Sequence, residues 1–175
     1  MPWFRSRGCT APRQPPGLHI GSRACTIPAM PSPRLAARGI LLIEDRLLLV
    51  NAWPNHRSGL WCAPGGGVER GASLHDNLAR EFREETGLRV AVGPPCLINE
   101  FHDPDGTFHQ VDLYFRCTLM AGTLDPDWRD PEGIVTRRRL FSRAEMARIK
   151  VKPDSLAAAA WGQSLLYDPL EPILR

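Results

Sequence analysis

Two nearly continuous apolar runs lie close together near residue 40. They span Ala36–Ile43 and Arg46–Val50, and only Glu44 and Asp45 separate them. Runs of this length without polar alternation are typical of strands that are covered on both faces. The pattern therefore predicts a hairpin in the centre of a sheet.

A second hairpin is predicted between residues 89 and 119. Arg89–Phe101 and Thr107–Leu119 are both strand-like, although Gly93-Pro94-Pro95 interrupts the first run. Asp103-Pro104-Asp105-Gly106 between them has proline and glycine where a tight turn favours them. In the second strand apolar and polar positions alternate, which predicts two different faces. One face carries Val111, Leu113 and Phe115, and the other carries Gln110, Asp112, Tyr114 and Arg116.

Residues 73–88 carry the pattern of an amphipathic helix with defined ends. Leu74, Leu78 and Phe82 recur every four residues and form one apolar stripe. Ser73, with an acidic residue three positions later, is a typical N-cap. Gly87 suits the left-handed position that follows a last helical turn. We therefore expect a helix that begins near Ser73 and ends at Gly87.

The remaining chain alternates a loop, a strand and helices. We expect a loop at Ala121–Gly133, a strand at Ile134–Phe141, helices at Ser142–Ile149 and Ser155–Leu166, and an irregular tail over residues 168–175. The Arg137-Arg138-Arg139 run is consistent with an edge strand protected by charge or with a phosphate clamp. Strands that alternate around one principal helix are typical of an α/β chain with a mixed β-sheet between helical layers.

Three glutamates crowd the last turn of the predicted helix. Glu81, Glu84 and Glu85 stand at i, i+3 and i+4, so their carboxylates are neighbours that repel one another and oppose the helix dipole. Folding alone gives no reason to place them there. Clustered carboxylates are the hard oxygen donors that Mg²⁺ or Mn²⁺ prefers, so a metal site is one interpretation. A solvated acidic face is the other.

The spacing of this stretch resembles the Nudix box, whose pattern is Gly, five residues, Glu, seven residues, Arg-Glu-apolar-x-Glu-Glu-x-Gly-apolar. The match covers Gly66–Leu88. One position departs from it, because Ala72 stands where the family has its first glutamate. In the family that glutamate mainly braces the arginine that corresponds to Arg80. Arg80 is therefore expected to be less well held, unless Glu69 reaches across the loop in its place.

This resemblance implies the Nudix-type α/β/α sandwich and metal-dependent hydrolysis of a phosphoanhydride bond in a nucleoside diphosphate linked to another group. Glu81, Glu84, Glu85 and the carbonyl of Gly66 would hold Mg²⁺, or Mn²⁺, and Arg80 would orient the glutamates. The general base and any fourth carboxylate remain to be chosen among Glu100, Asp112 and Glu132. Two other classes stay open: a nucleotide-binding domain with weakened catalysis, and an interaction module with structural carboxylates.

The expected substrate is ADP-ribose or a nucleotide sugar, with an oxidised nucleoside triphosphate as the second candidate. In the family, a proline sixteen residues beyond the box is associated with ADP-ribose hydrolysis, and Pro104 stands there, although the turn already explains it. Phe101 and Phe108 beside that turn are aromatic faces on which adenine stacks. Arg57, in a loop near residue 55, is either a phosphate contact or part of an exposed turn.

Composition limits the remaining possibilities. The 175 residues, 43% of them hydrophobic, fit one domain, which we place at residues 34–167. Residues 1–33 hold seven prolines and four arginines, and are interpreted as a disordered arm, as the product of a start codon placed upstream of Met30, or less favourably as a transit peptide. Those arginines leave only −1 of the net +3 for the rest of the chain, so a small nucleotide is expected as partner and nucleic acid is not.

The cysteines and the apolar segments indicate the cellular compartment of the protein. Five cysteines without a CxxC pair indicate reduced thiols in a cytoplasmic protein. No apolar run approaches the length of a membrane span, so no membrane partner is expected. The oligomeric state stays open, a homodimer included.

Overall fold

The computed structural model describes residues 32–54 and 59–173, which hold nine strands and three helices. The strands are β1 (Arg34–Ile43), β2 (Arg46–Asn51), β3 (Leu60–Cys62), β4 (Gly65–Gly67), β5 (Arg89–His102), β6 (His109–Ala121), β7 (Arg138–Phe141), β8 (Lys150–Val151) and β9 (Leu166–Pro172). The helices are α1 (Leu74–Thr86), α2 (Arg143–Met146) and α3 (Leu156–Trp161). The predicted arm lies outside the described residues, apart from its last two positions.

The strands form one mixed sheet in the order β8-β3-β2-β1-β6-β5-β9, and β4 and β7 pair with β1 and β2 beside this path. The pairs β1–β6, β3–β8 and β5–β9 are parallel, and the others are antiparallel. Both predicted hairpins are confirmed, β1–β2 through a turn at Glu44 and Asp45 and β5–β6 through the turn at residues 103–108.

Helices cover both faces of the sheet. Leu78 and Phe82 of α1 pack on one face against Leu41, Leu48 and Phe115. On the other face, α2 and α3 pack against a second cluster of sheet residues that includes Ile40, Leu97 and Tyr114. The α/β/α sandwich is therefore confirmed, and the alternation predicted for β6 is confirmed by the opposite placement of Phe115 and Tyr114.

The ends of α1 are those that the sequence predicts. The Ser73 hydroxyl accepts a hydrogen bond from the Asp76 backbone N–H at 3.0 Å. Gly87 adopts a left-handed conformation, with φ 74°, and its N–H donates to the Arg83 carbonyl. A Cβ at Gly87 would also lie 2.9 Å from the Trp128 ring, so both conformation and space require glycine.

The tail is a correction to the sequence analysis. Residues 168–175 are predicted to be irregular, but Leu166–Pro172 forms β9, which runs parallel to β5. Two side-chain contacts anchor it: Ser155 Oγ donates to Asp168 Oδ2, and Lys152 Nζ pairs with Glu171 Oε2, each at 2.6 Å. These partners are distant in sequence, so local pattern does not show them.

Smaller differences concern the lengths of elements. The interruption at Pro94-Pro95 is a register shift within one long strand, β5. The last predicted strand is shortened to β7, and the two C-terminal helices are shortened to α2 and α3. No helix within the described ranges has both the length and the apolar character needed to cross a bilayer.

Candidate functional site

Two cavities meet beside β1. The larger has a volume of about 540 Å³ and the smaller about 290 Å³. Arg34 and Arg38 line both, as do Ala52 and Cys62. Both volumes are near or within the range of small-molecule sites, so the pair forms one elongated candidate site.

The smaller cavity is acidic and is built around the glycine loop and the last turns of α1. We call it the acidic cavity. Its lining includes Gly66, Glu69, Arg80, Glu81, Glu85 and Glu132.

Arg80 is the centre of a hydrogen-bond network on α1. Its Nη1 donates to Glu84 Oε2 at 2.5 Å and its Nη2 to Glu81 Oε1 at 2.7 Å. Nη2 also lies 3.2 Å from Asn77 Oδ1 and 3.1 Å from Glu69 Oε1. Glu69 thus reaches across the loop to Arg80, at the place where Ala72 offers no carboxylate.

Asn77 joins the glycine loop to α1. The side chain is only 1% exposed, its Oδ1 accepts from the Glu69 N–H at 3.1 Å, and its Nδ2 donates to the Gly67 carbonyl at 3.2 Å. A buried amide with these bonds holds the loop in one position relative to the helix. The carboxylate of Glu69 and the backbone of Gly66 therefore have a defined place beside Glu81.

Glu85 is a carboxylate that the protein itself only partly compensates. Among the described residues, its carboxylate accepts one hydrogen bond, from the Gly65 N–H at 2.8 Å. Burial raises the pKa of Glu85 to about 8, while Arg38 and the Gly65 N–H act in the opposite direction. Burial also raises the pKa of Glu81, although Arg80 opposes that shift. Two desolvated carboxylates next to each other favour a cation between them.

The donor chemistry of this cavity suits a hard divalent cation. A Cβ at position 66 would lie 2.6 Å from Glu81 Oε2, so glycine lets the loop approach this carboxylate without displacing it. Across residues 32–54 and 59–173, no three acidic, histidine or cysteine side chains are gathered closely enough to hold a metal by themselves. Mg²⁺ commonly takes only one or two carboxylates and completes its shell with waters and substrate phosphates, so Glu81, Glu85 and the Gly66 carbonyl fit such an ion.

Glu84 differs from its two neighbours. Its carboxylate is bonded to Arg80, and it is not among the described residues that line the acidic cavity. Its backbone carbonyl accepts from Trp128 Nε1 at 2.8 Å, and Arg138 Nη1 donates to the Glu85 carbonyl at 2.7 Å. These donors compensate the carbonyl end of α1, which the three glutamates would otherwise make still more negative.

The three consecutive arginines are all engaged with protein groups. Arg137 lies over the Trp61 ring at 4.9 Å, and Arg139 bonds Glu145 at 2.6 Å. Arg138 binds the Glu85 and Trp128 carbonyls.

The loop that precedes β7 brings Glu132 to the acidic cavity. Two buried side chains fix its course by accepting backbone N–H bonds. Asp130 accepts from Glu132, Ile134 and Val135 at 2.8–3.0 Å, and Asn51 Oδ1 accepts from Thr136 and Arg137 at 2.8 and 2.7 Å. The sequence analysis expected a loop at Ala121–Gly133 but identified neither anchor, since each acts through a polar side chain that carries no local pattern.

Of the three candidates for a fourth carboxylate, only Glu132 lines the acidic cavity. Glu100 accepts from the Tyr167 hydroxyl at 2.7 Å and pairs with Val111 in the sheet, so it lies on the face opposite Asp112. Asp112 is 2% exposed and bonds Arg38 and Gln110. We call the cavity that Asp112 lines the aromatic cavity.

The aromatic cavity, the larger of the two, combines aromatic and polar walls. The rings of Phe101 and Phe108 contact each other at an interplanar angle of 38°, with centroids 5.8 Å apart. The polar wall is formed by Asn99, Gln110, Asp112, Lys152 and Glu171. Pro104 lies in the exposed 103–106 turn and is not among the described lining residues, and Arg57 lies outside the described residues.

Arg38 connects the two cavities and was missed by the sequence analysis. Its Nη1 donates to the Gly65 carbonyl at 2.7 Å, and its Nε lies 3.5 Å from Asp112 Oδ1. Arg34 and Arg38 stand an even number of residues apart on β1, so strand periodicity places them on one face. This even spacing is the sequence feature from which both arginines could have been predicted as site residues.

The chain is also similar in sequence to known proteins. A family model described as the NUDIX domain matches residues 33–162. An ADP-ribose pyrophosphatase from Methanocaldococcus jannaschii is 30% identical over 53% of this chain and 54% of its own length. A Nudix hydrolase of Bacillus subtilis, YvcI, is 43% identical over 47% of this chain and 49% of its own length. The chain thus spans about half the length of these curated relatives.

Solved structures show the same fold at low identity. A UDP-X diphosphatase superposes with a TM-score of 0.62 at 18% identity, covering 80% of this chain and 69% of that one. A NUDIX hydrolase from Nitrosomonas europaea gives 0.61 at 22% identity, covering 73% and 86%. An ADP-ribose pyrophosphatase from Streptococcus suis gives 0.58 at 22% identity, covering 78% and 100%.

Proposed function

Because the chain belongs to the Nudix family, we propose that it hydrolyses the pyrophosphate bond of a nucleoside diphosphate linked to another group. The observation that carries this proposal is the joining of the aromatic cavity to the acidic cavity across Arg34 and Arg38. One end suits a base and the other suits phosphates with a divalent ion. An interaction module with structural carboxylates would not require two joined cavities of this kind.

Glu81, Glu85 and the Gly66 carbonyl would hold a divalent ion, with Glu84 beside them. We propose Mg²⁺, with Mn²⁺ as a substitute, because all donors are oxygen atoms. When bound, the ion polarises phosphate oxygens and lowers the pKa of a nearby water.

The protein side chains supply position and proton transfer. Arg80 holds the carboxylates of Glu81 and Glu84 in place, while Asn77 and Glu69 hold Arg80 in turn. Glu132 is the carboxylate to which we assign the proton of the attacking water, since it lines the acidic cavity and makes no side-chain bond within the described residues. Its loop is anchored by Asp130.

ADP-ribose or a nucleotide sugar is the substrate class that we propose. The Phe101–Phe108 pair offers stacking to an adenine, and the relative from M. jannaschii is named an ADP-ribose pyrophosphatase. Pro104 gives no direct support, since it lies in an exposed turn.

The test is product release from a panel of dinucleoside diphosphates, nucleotide sugars and nucleoside triphosphates, each with Mg²⁺, with Mn²⁺ and with chelator. We expect ADP-ribose to yield AMP and ribose phosphate only with metal. Glu85→Gln is the matched control for contaminating hydrolases. A triphosphate preferred at least tenfold in kcat/KM, about 1.4 kcal/mol, would contradict the substrate class, and no metal-dependent turnover on any compound would contradict the proposed activity.

A further inference from the structure

Arg34 is a cation that lines both cavities and has no hydrogen-bond or ion-pair partner among the described residues. Its guanidinium lies against the glycine loop, so that a Cβ on Gly67 would be 2.4 Å from Arg34 Nη2. The side chain is exposed, and within residues 32–54 and 59–173 it makes no hydrogen bond or ion pair. The side chain lies at the junction of the two cavities, since it lines both of them.

Arg38 presents a second donor edge at the same junction. Its Nε and Nη1 are used by Asp112, Ala63 and Gly65, whereas Nη2 has no hydrogen-bond partner in the described part of the chain. The bonds that Arg38 does make fix the guanidinium in place. Arg38 follows Arg34 by four positions on β1, a rise of about 13 Å along the strand, and both lie on the same face.

The charges around this junction are otherwise unfavourable for a phosphate. Glu69, Glu81, Glu85 and Glu132 line the acidic cavity, and Arg80 is already bonded to carboxylates. Asp112 bounds the other side. A diphosphate that passes between the cavities needs cationic donors of its own, beyond a metal ion.

We propose that Arg34, together with the Nη2 edge of Arg38, binds the diphosphate of the substrate between the base and the carboxylates. Guanidinium groups pair with phosphate oxygens through short, charge-assisted hydrogen bonds, which suits this role. The identity of the substrate rests on the proposed function, but recognition of a nucleoside diphosphate at this junction is tested by binding alone.

The experiment measures the affinity of the full chain for ADP and for adenosine by calorimetry in the presence of chelator, which removes any metal bridge. Wild type is compared with Arg34→Gln, with Arg34→Lys and with Arg89→Gln, an exposed strand arginine remote from both cavities as the control. Arg34 is chosen over Arg38 because its side chain is exposed, whereas the guanidinium of Arg38 is bonded to Ala63, Gly65 and Asp112. Coincident far-ultraviolet spectra check that the variants are folded.

We expect Arg34→Gln to weaken ADP binding at least tenfold and to leave adenosine binding unchanged, with Arg34→Lys in between and Arg89→Gln like wild type. The inference is overturned if ADP affinity falls less than threefold, if adenosine affinity falls equally, if Arg89→Gln has the same effect, or if wild type binds ADP no better than adenosine. Because no turnover is needed, a chain that binds ADP through Arg34 but hydrolyses nothing would refute the proposed function and leave this inference standing.

Discussion

Arg80 Nη2 lies 3.1 Å from Glu69 Oε1. The Nudix box places its first glutamate elsewhere, at the position that Ala72 occupies in this chain. The side chain of Glu69 is 66% exposed, so this pair alone contributes little stability. Its effect is on position, because the same Nη2 also holds Glu81 at 2.7 Å. Glu69 thus makes, from within the same loop, a carboxylate contact to Arg80 that Ala72 cannot make.

We expect Glu69→Gln to lower kcat by about 3–10-fold with little change in melting temperature, since a neutral amide holds Arg80 less firmly. Ala72→Glu alone should have a small effect, because a brace is already present. The double variant should recover most of the lost activity, and the apparent Mg²⁺ affinity should follow the same order. Equal losses in Glu69→Gln and in the double variant would show that Glu69 acts in another way, for example directly on the ion.

Glu85→Gln should reduce metal-dependent turnover by at least 100-fold, because it removes the charge of a proposed metal ligand inside the acidic cavity. Glu84→Gln should also reduce turnover, but less, since Glu84 acts through its bond to Arg80. Rates are measured at saturating Mg²⁺ with ADP-ribose. A Glu85→Gln enzyme with near wild-type rates would show that this carboxylate is not a ligand.

The metal-free protein should lose stability as pH rises. Burial raises the pKa of Glu85 from 4.5 to about 8, so between these values the folded state binds a proton that the unfolded state has released. The free energy of unfolding therefore decreases with increasing pH across this window, by on the order of 1–3 kcal/mol after solvent screening. Urea denaturation with chelator at pH 5 and pH 9 measures this change. Glu85→Gln should flatten it, whereas Asp127→Asn, at an exposed carboxylate, should not.

Asp130→Ala should destabilise the protein by about 2–4 kcal/mol and reduce turnover, because three backbone N–H groups of the loop lose their acceptor. Asp127→Ala in the same loop, with a side chain 91% exposed, is the control and should change the free energy of unfolding by less than 0.5 kcal/mol. Thermal denaturation and kcat are compared. If Asp130→Ala retains full turnover, the loop does not position Glu132.

The sequence by itself determined the parts of this protein that depend on local spacing. The helix from Ser73 to Gly87, its apolar stripe and the row of glutamates follow from periodicity and end signals a few residues apart. The two hairpins follow from strand periodicity and turn residues, and the family follows from a motif contained in 23 residues, Gly66–Leu88. In each case the interacting groups are neighbours in the chain.

Tertiary structure decided what depends on contacts between distant segments. It placed β9 beside β5, where the sequence indicated an irregular tail, because the anchors at Ser155 and Lys152 come from another part of the chain. It separated Glu84 from the acidic cavity, brought Glu132 to that cavity in place of Glu100 and Asp112, and joined the cavities across Arg34 and Arg38. A side chain's partners in a folded sheet are set by which strands pair and in which register, and a local pattern carries neither.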